Sequence, residues 1–255
     1  MKKILVSMLA LSLAVSSLFA GGAKESSDSQ DKVYVFAADA TWPPMEFIDE
    51  AGNLTGFEVE LMPLVGKEVG MNFEVKNIPW DTIFAGLANG AYDGVASGVT
   101  VTDERKKTMD FSTPILSNGQ VVIVLDQDKG SIKSIKDLKS KANVGVQIGT
   151  TGDFALADYD VTVKRYDDIG LAIQDMLNGN LAACVCDSLI ASDFVLANKN
   201  YQGKLAIAGS PFTQEDIAVA VKKGNKALLD KVNEGLAKMQ QDGSLDALKQ
   251  KWNIL

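Results

Sequence analysis

Gln120-Val121-Val122-Ile123-Val124-Leu125 and Ile217-Ala218-Val219-Ala220-Val221 are two apolar runs that interrupt an otherwise regular alternation of strands and helices. Each follows a proline-containing stretch, around Pro114 and Pro211. A chain that buries two separate α/β cores must leave the first and return to it. The two runs are read as those crossings, outward near Ile115 and back near Phe212. The expected architecture is α/β: two lobes joined by a two-strand hinge, with a cleft between them. Lobe one takes residues 32–115 and 213–255, and lobe two takes residues 116–212.

The flanking sequence fills both lobes in the same style. Val33–Ala38 is an apolar run suited to a buried parallel strand. Thr55 and Glu58 have capping-box spacing before a helix whose apolar face is Phe57, Leu61, Leu64, Val65 and Val69. A strand is expected at 73–75, a helix at 80–87 stopped by Asn89-Gly90, and a strand at 94–96. Thr102 then caps a helix with Asp103 and Glu104 in its first turn. Beyond the first crossing come strands at 144–147, 161–163 and 181–185. Helices open at Thr151, run over 169–177, and run over 188–196. Leu87-Ala88-Asn89-Gly90 before one strand parallels Met176-Leu177-Asn178-Gly179 before another, as two lobes of similar construction require. Helices at 226–241 and 245–252, broken at Asp242-Gly243, return to lobe one.

Composition narrows the chemistry. Of 255 residues, 46% are hydrophobic, enough for two modest cores. Histidine is absent, which removes the commonest general base and metal ligand. The net charge of −8 gives no electrostatic support to a nucleic-acid partner. The two cysteines, Cys184 and Cys186, point to one face of an expected buried strand, where a disulfide between them would be strained. No cofactor or metal is expected.

Lys2 and Lys3, an uncharged run over 4–19 and the small Ala20 form an export signal, too short to span a membrane. Cleavage is expected near Ala20, leaving 23 basic against 33 acidic residues. Residues 21–31 read as a flexible tether. Phe19-Ala20-Gly21-Gly22 is similar to a lipoprotein cleavage box, but Gly22 stands where the lipid-bearing cysteine would be, so no lipid anchor is expected. The location expected is periplasmic or cell-surface.

In open α/β sheets, ligands bind beyond the carboxyl ends of the strands. The residues that follow each expected strand form a set suited to a zwitterion. Arg105 can grip a carboxylate in two parallel hydrogen bonds. The helix start at Thr151 offers free N–H groups to the same carboxylate. Asp187 can neutralise an ammonium group. Trp42 and Trp80 can sandwich a side chain, best a cationic one, and Asp39 adds a negative charge for it. Each residue also has a plainer reading: a solvated arginine, a helix-capping aspartate, tryptophans that merely pack. Gly149-Thr150-Thr151-Gly152 lacks the spacing and lysine of a phosphate loop.

At these residues the chain resembles the polar amino-acid-binding proteins of ABC importers. Gly56-Phe57-Glu58-Val59-Glu60-Leu61 matches that family's G-[FY]-[DE]-x-[DE] segment. The stretch from Asp39 to Phe47 matches its ligand-stacking loop, and that from Asp93 to Arg105 its carboxylate-binding stretch. The resemblance covers about residues 32–252. It implies a type II periplasmic-binding-protein fold. It also implies Trp42 and Trp80 around the side chain, Ser97 and Gly98 at the amino group, and Thr100, Arg105 and Thr151 on the carboxylate. Asp187 would meet the ammonium and Asp39 the side-chain end, with Gln147 and Gly152 at specificity-tuning positions. The function implied is capture of a free polar amino acid, cationic by preference (arginine, lysine, ornithine or histidine), and delivery to a permease with its ATPase by a monomer. The alternative is a dehydratase of the same fold acting on prephenate or arogenate, with Asp39 or Glu46 as its acid. A sensor domain is disfavoured because no spanning or signalling segment follows Leu255.

Overall fold

The computed structural model describes residues 32–254; the expected signal segment and tether lie outside them. In chain order the strands and helices are β1 (Val33–Ala38), β2 (Thr41–Trp42), β3 (Glu46–Ile48), β4 (Leu54–Thr55), α1 (Phe57–Glu68), β5 (Asn72–Asn77), α2 (Trp80–Asn89), β6 (Gly94–Val95), α3 (Asp103–Lys106), β7 (Met109–Phe111), β8 (Leu116–Asn118) and β9 (Gln120–Leu125). There follow β10 (Ala142–Gln147), α4 (Thr151–Ala155), β11 (Val161–Tyr166), α5 (Ile169–Leu177), β12 (Ala183–Asp187), α6 (Ser188–Ser192), β13 (Leu205–Ala208), β14 (Glu215–Ile217), β15 (Ala220–Lys222), α7 (Lys226–Asp242) and α8 (Ser244–Lys251).

Two five-stranded sheets carry these elements, in the orders β5-β1-β6-β15-β7 and β11-β10-β12-β9-β13. In the first, β1 runs parallel to β5 and β6, and β15 closes antiparallel between β6 and β7. In the second, β10 runs parallel to β11 and β12, and β9 lies antiparallel between β12 and β13. This is the two-lobed, type II architecture that the sequence implied. Both sheets thus present three parallel strands whose carboxyl ends can face a common ligand.

The hinge differs from the expectation by one element on each pass. The crossing segments are β8 and β14, an antiparallel pair with Glu215 opposite Asn118 and Ile217 opposite Leu116. Gln120–Leu125 is an interior strand of the second sheet, and β15 belongs to the first. Their apolar runs follow from burial on both sheet faces: Val121 to Val124 and Ala218 to Val221 are all at 0–1% exposure. The hinge strands face solvent in part and are more polar, so they lack that signature.

Helix α1 shows a second departure. Its N-cap is Gly56, with no side-chain cap. Glu58 turns inward instead of reaching back to Thr55, so the capping box is not formed. Gly56 has φ +131°, and a Cβ there would strike the main chain of Met45. Only glycine fits this junction. Phe57, Leu61, Met62 and Val65 point into the core, whereas Leu64 faces outward. Gly235 of α7 packs against Val65, so a side chain there would force α7 away from α1. The helix expected at 188–196 divides into α6 and a π-helical turn, Asp193–Ala197.

Candidate ligand-binding site

Nine of the ten candidate residues lie at or just beyond the carboxyl ends of the parallel strands or in the first turn of a helix, and Trp42 lies on the small antiparallel sheet β2-β3-β4. Asp39 follows β1, Trp42 ends β2, and Trp80 begins α2. Ser97, Gly98 and Thr100 follow β6, and Arg105 stands on α3, whose N-cap Thr102 accepts from the Arg105 N–H. Gln147 ends β10, Thr151 begins α4 behind its capping Thr150, and Asp187 ends β12.

The aromatic pair is formed. Trp42 and Trp80 lie nearly parallel, at 9°, with ring centroids 6.2 Å apart. A planar group between them at ordinary carbon contact on both sides needs about 7 Å, so a small outward shift of one ring admits it. Gly98 sets the position of Trp42. Its φ is +55°, and a Cβ there would lie 3.0 Å from the indole.

The two lobes meet through the candidate residues themselves. The Trp42 Nε1–H donates to Gln147 Oε1. Gln147 Nε2 donates to Asp39 Oδ2 at 2.9 Å and to the Asp167 carbonyl at 3.0 Å. Arg105 donates to the Thr100 carbonyl at 3.0 Å and, across the cleft, to that of Gly149 at 3.4 Å. Its guanidinium lies 5.0 Å from the Phe84 ring centroid and 5.5 Å from that of Trp80. The hydroxyls of Thr100 and Thr151 stand 3.3 Å apart. Among the described residues, the main-chain N–H groups of Thr100 and Thr151 have no hydrogen-bond acceptor. Two free N–H groups beside a guanidinium make a seat for a carboxylate.

Burial governs the charges. It lowers the Arg105 pKa to about 10, against the opposing pull of Asp187 and Glu215, so the group stays a cation at neutral pH. Asp187 is 1% exposed, and its pKa rises to about 7, through burial first and then the nearby Glu215. Asn118 Nδ2 donates to it. Burial also raises Asp39, helped by the negative charge of Asp168 across the cleft. Beneath the floor, Glu46 and Glu58 are both at 0% exposure. Glu58 accepts from the Gly98 N–H, and Glu46 accepts from the Ser97 hydroxyl at 2.8 Å. Burial raises both carboxyls, Glu58 to about 7 and Glu46 well above the usual range, and each acts on the other.

Residues 34–254 match the bacterial extracellular solute-binding proteins, family 3. The chain belongs to that family. It is 36% identical to a probable histidine-binding protein of Neisseria gonorrhoeae, over 99% of this chain and 96% of the relative. It is 40% identical to the L-cystine-binding protein TcyJ of Escherichia coli (strain K12), over 84% and 80%. Among solved structures, an ancestral arginine-binding protein bound to arginine superposes with a TM-score of 0.79 at 37% identity, covering 86% of this chain and 97% of that one. The resemblance read from the sequence therefore holds for this family 3 protein, as does the fold.

The sequence reading missed four polar groups of the cleft: Glu215, Gln120, Asn118 and Asp168. Glu215 and Asn118 lie on the hinge strands that the reading placed elsewhere. Gln120 heads a run that looked wholly apolar. Phe84 was legible in principle, because it stands one helical turn beyond Trp80. Ser97 was expected at a ligand amino group. Its hydroxyl faces inward, donating to Glu46 and accepting from the Asp39 N–H at 2.9 Å.

Proposed function

We propose that this family 3 protein captures a free polar amino acid between its lobes and delivers it to the permease of an ABC importer. The lobes are assigned as residues 32–115 with 213–255, and residues 116–212, turning about β8 and β14. The ligand carboxylate takes the N–H groups of Thr100 and Thr151 with Arg105. The ammonium takes Asp187, with the main-chain oxygens of Ser97 and Gly98 as further acceptors. Trp42 and Trp80 flank the side chain. A ligand touching both lobes binds the closed form better and draws the population toward it. Export with cleavage near Ala20, no lipid anchor and a monomeric state complete the reading.

A cationic side chain is favoured, and the carboxylates at the side-chain end carry this preference. With Arg105 and Asp187 matched to the ligand's own charges, Asp39 is left over, and Asp168 adds to its field. A glutamate side chain would meet like charge in a partly dry site. A guanidinium or ammonium between the indoles gains from their faces as well, roughly 0.5–2 kcal/mol. Binding without catalysis fits the same groups. Glu46, an acid available to the dehydratase alternative, is sealed in the interior at 0% exposure.

A competition titration against arginine, lysine, ornithine, histidine, glutamine, glutamate and cystine tests the proposal. A cationic amino acid should stabilise the protein most. If glutamine, glutamate or cystine outranks all of them, the cationic preference is wrong. Conversion of prephenate to phenylpyruvate would make the protein an enzyme.

A further inference from the structure

Glu215 stands on the returning hinge strand, β14, and its carboxylate is filled with donors. Oε2 accepts from Thr151 Oγ1 at 2.7 Å, Thr100 Oγ1 at 3.0 Å and Gln120 Nε2 at 3.3 Å. Oε1 accepts from Thr213 Oγ1 at 2.6 Å. Thr100 follows β6 of the first sheet, while Thr151 and Gln120 belong to elements of the second. One carboxylate therefore ties both lobes to the hinge. A threonine hydroxyl has a single proton to give, and Thr100 and Thr151 both give theirs to Glu215.

We propose that Glu215 is a built-in stand-in for the ligand's carboxylate, holding the threonine hydroxyls of the carboxylate seat until an amino acid displaces it. The proposal rests on the amino-acid reading of this cleft. An incoming carboxylate seated on the Thr100 and Thr151 N–H groups meets hydroxyls already committed and a like charge beside them. Both effects weaken binding and hasten release. They act on the carboxylate of any amino acid, whatever its side chain, so Glu215 tunes affinity and leaves side-chain choice to Asp39 and the indoles. Displacement is sterically open. Beside Glu215 lies a cavity of about 480 Å³ lined by Thr102, Lys106, Gln214 and Asp216. A carboxylate swung into it exchanges its hydroxyl donors for water and the Lys106 ammonium.

The test is calorimetry of wild type, Glu215→Gln, Glu215→Ala and Glu215→Asp with the common amino acids and L-cystine, then with the α-carboxamide of the tightest binder. Neutral Glu215→Gln and Glu215→Ala should bind the amino acid about tenfold tighter than wild type, and the carboxamide less than about threefold tighter. Glu215→Asp keeps the charge and should gain little. Thermal unfolding establishes that each variant is folded, and because Glu215 is partly exposed, the Gln variant should fold as wild type does. Wild-type binding with no gain in the Gln and Ala variants, or an equal gain for acid and carboxamide, overturns the inference alone. A loss of affinity also overturns it, since Glu215 would then be an acceptor for the ligand ammonium. Absence of any amino-acid binding by the wild type overturns the reading of the site and this inference with it.

Discussion

Lowering the pH from 8 to 5 acts on the cleft through Asp187. The group is fully buried, and its pKa stands at about 7 against the usual 3.8. A ligand ammonium needs the ionised form. Because the empty protein holds Asp187 at a raised pKa, the form competent to bind prevails above pH 7 and is progressively lost below it. The ionised fraction falls about ninetyfold between pH 8 and pH 5, so affinity should fall by as much, or ~2.7 kcal/mol at 1.36 kcal/mol per decade. Asn118, Gln120, Arg105 and Glu215 face the group, and Glu58 titrates nearby in the same range. A control must therefore isolate Asp187, and Asp187→Asn does so: it should bind weakly, with a flat profile over these pH values. Arginine or lysine is the right probe, because histidine would itself titrate in this window. Calorimetry at half-unit steps reads the effect, and repeating it in buffers of different ionisation enthalpy counts the proton released. A flat wild-type profile, or a fall that persists in Asp187→Asn, would refute the placement of the ammonium on Asp187.

Three further outcomes are expected. Arg105→Ala should lose about 2–5 kcal/mol of binding with the fold intact, since it removes one partner of a desolvated charge pair; unchanged affinity by calorimetry removes Arg105 from the site. Gly98→Ala should strain the backbone at its φ of +55° and displace the Trp42 indole from its stacking position, weakening every ligand that stacks on it, visible as a shift in tryptophan fluorescence along with reduced affinity. Glu58→Gln should change the pH dependence of stability. A buried carboxyl with a raised pKa destabilises the fold increasingly from about pH 4.5 to about pH 7 and by a constant amount above it. The variant's Tm advantage over wild type should therefore be larger at pH 8 than at pH 5, and a gap that does not change with pH excludes Glu58 as the titrating group.

How much was legible follows from how each feature is encoded. Burial on both faces leaves an apolar run, so β1, β9 and β15 are visible as strands whatever sheet they join. Helix ends leave residue types at fixed spacing: Thr102 before α3, and Gly90 and Gly243 after α2 and α7, stand where the sequence put them. Loop residues that meet a ligand fall at predictable offsets beyond strands. Hence all ten candidates appeared together even though no single one was decisive. The hinge is short, partly exposed and polar, so periodicity has nothing to register, and the eye moves to the apolar strand that follows it. Glu58 shows a different failure. Its spacing from Thr55 suits a capping box, and a local rule cannot know that the Gly98 N–H, forty residues on, is the partner that takes it.

Two of the groups left unread act on partners far away in the chain. Glu215 meets Thr151 across 64 residues and Thr100 across 115, and Asn118 reaches Asp187 across 69. On the proposed reading the protein opens and closes about its hinge, and contacts between lobes then differ from contacts within one. A contact within one lobe survives the opening, whereas one between lobes is lost, so interlobe hydrogen bonds set the balance between the two forms. Trp42 to Gln147, Arg105 to Gly149 and Gln147 to Asp39 all join the lobes at residues that a ligand would also touch. Under that reading, recognition and closure would thus draw on one set of side chains. A ligand that replaces these contacts with its own gains only the difference between them, so on the proposed reading the internal carboxylate of Glu215 would bear on affinity as directly as Arg105.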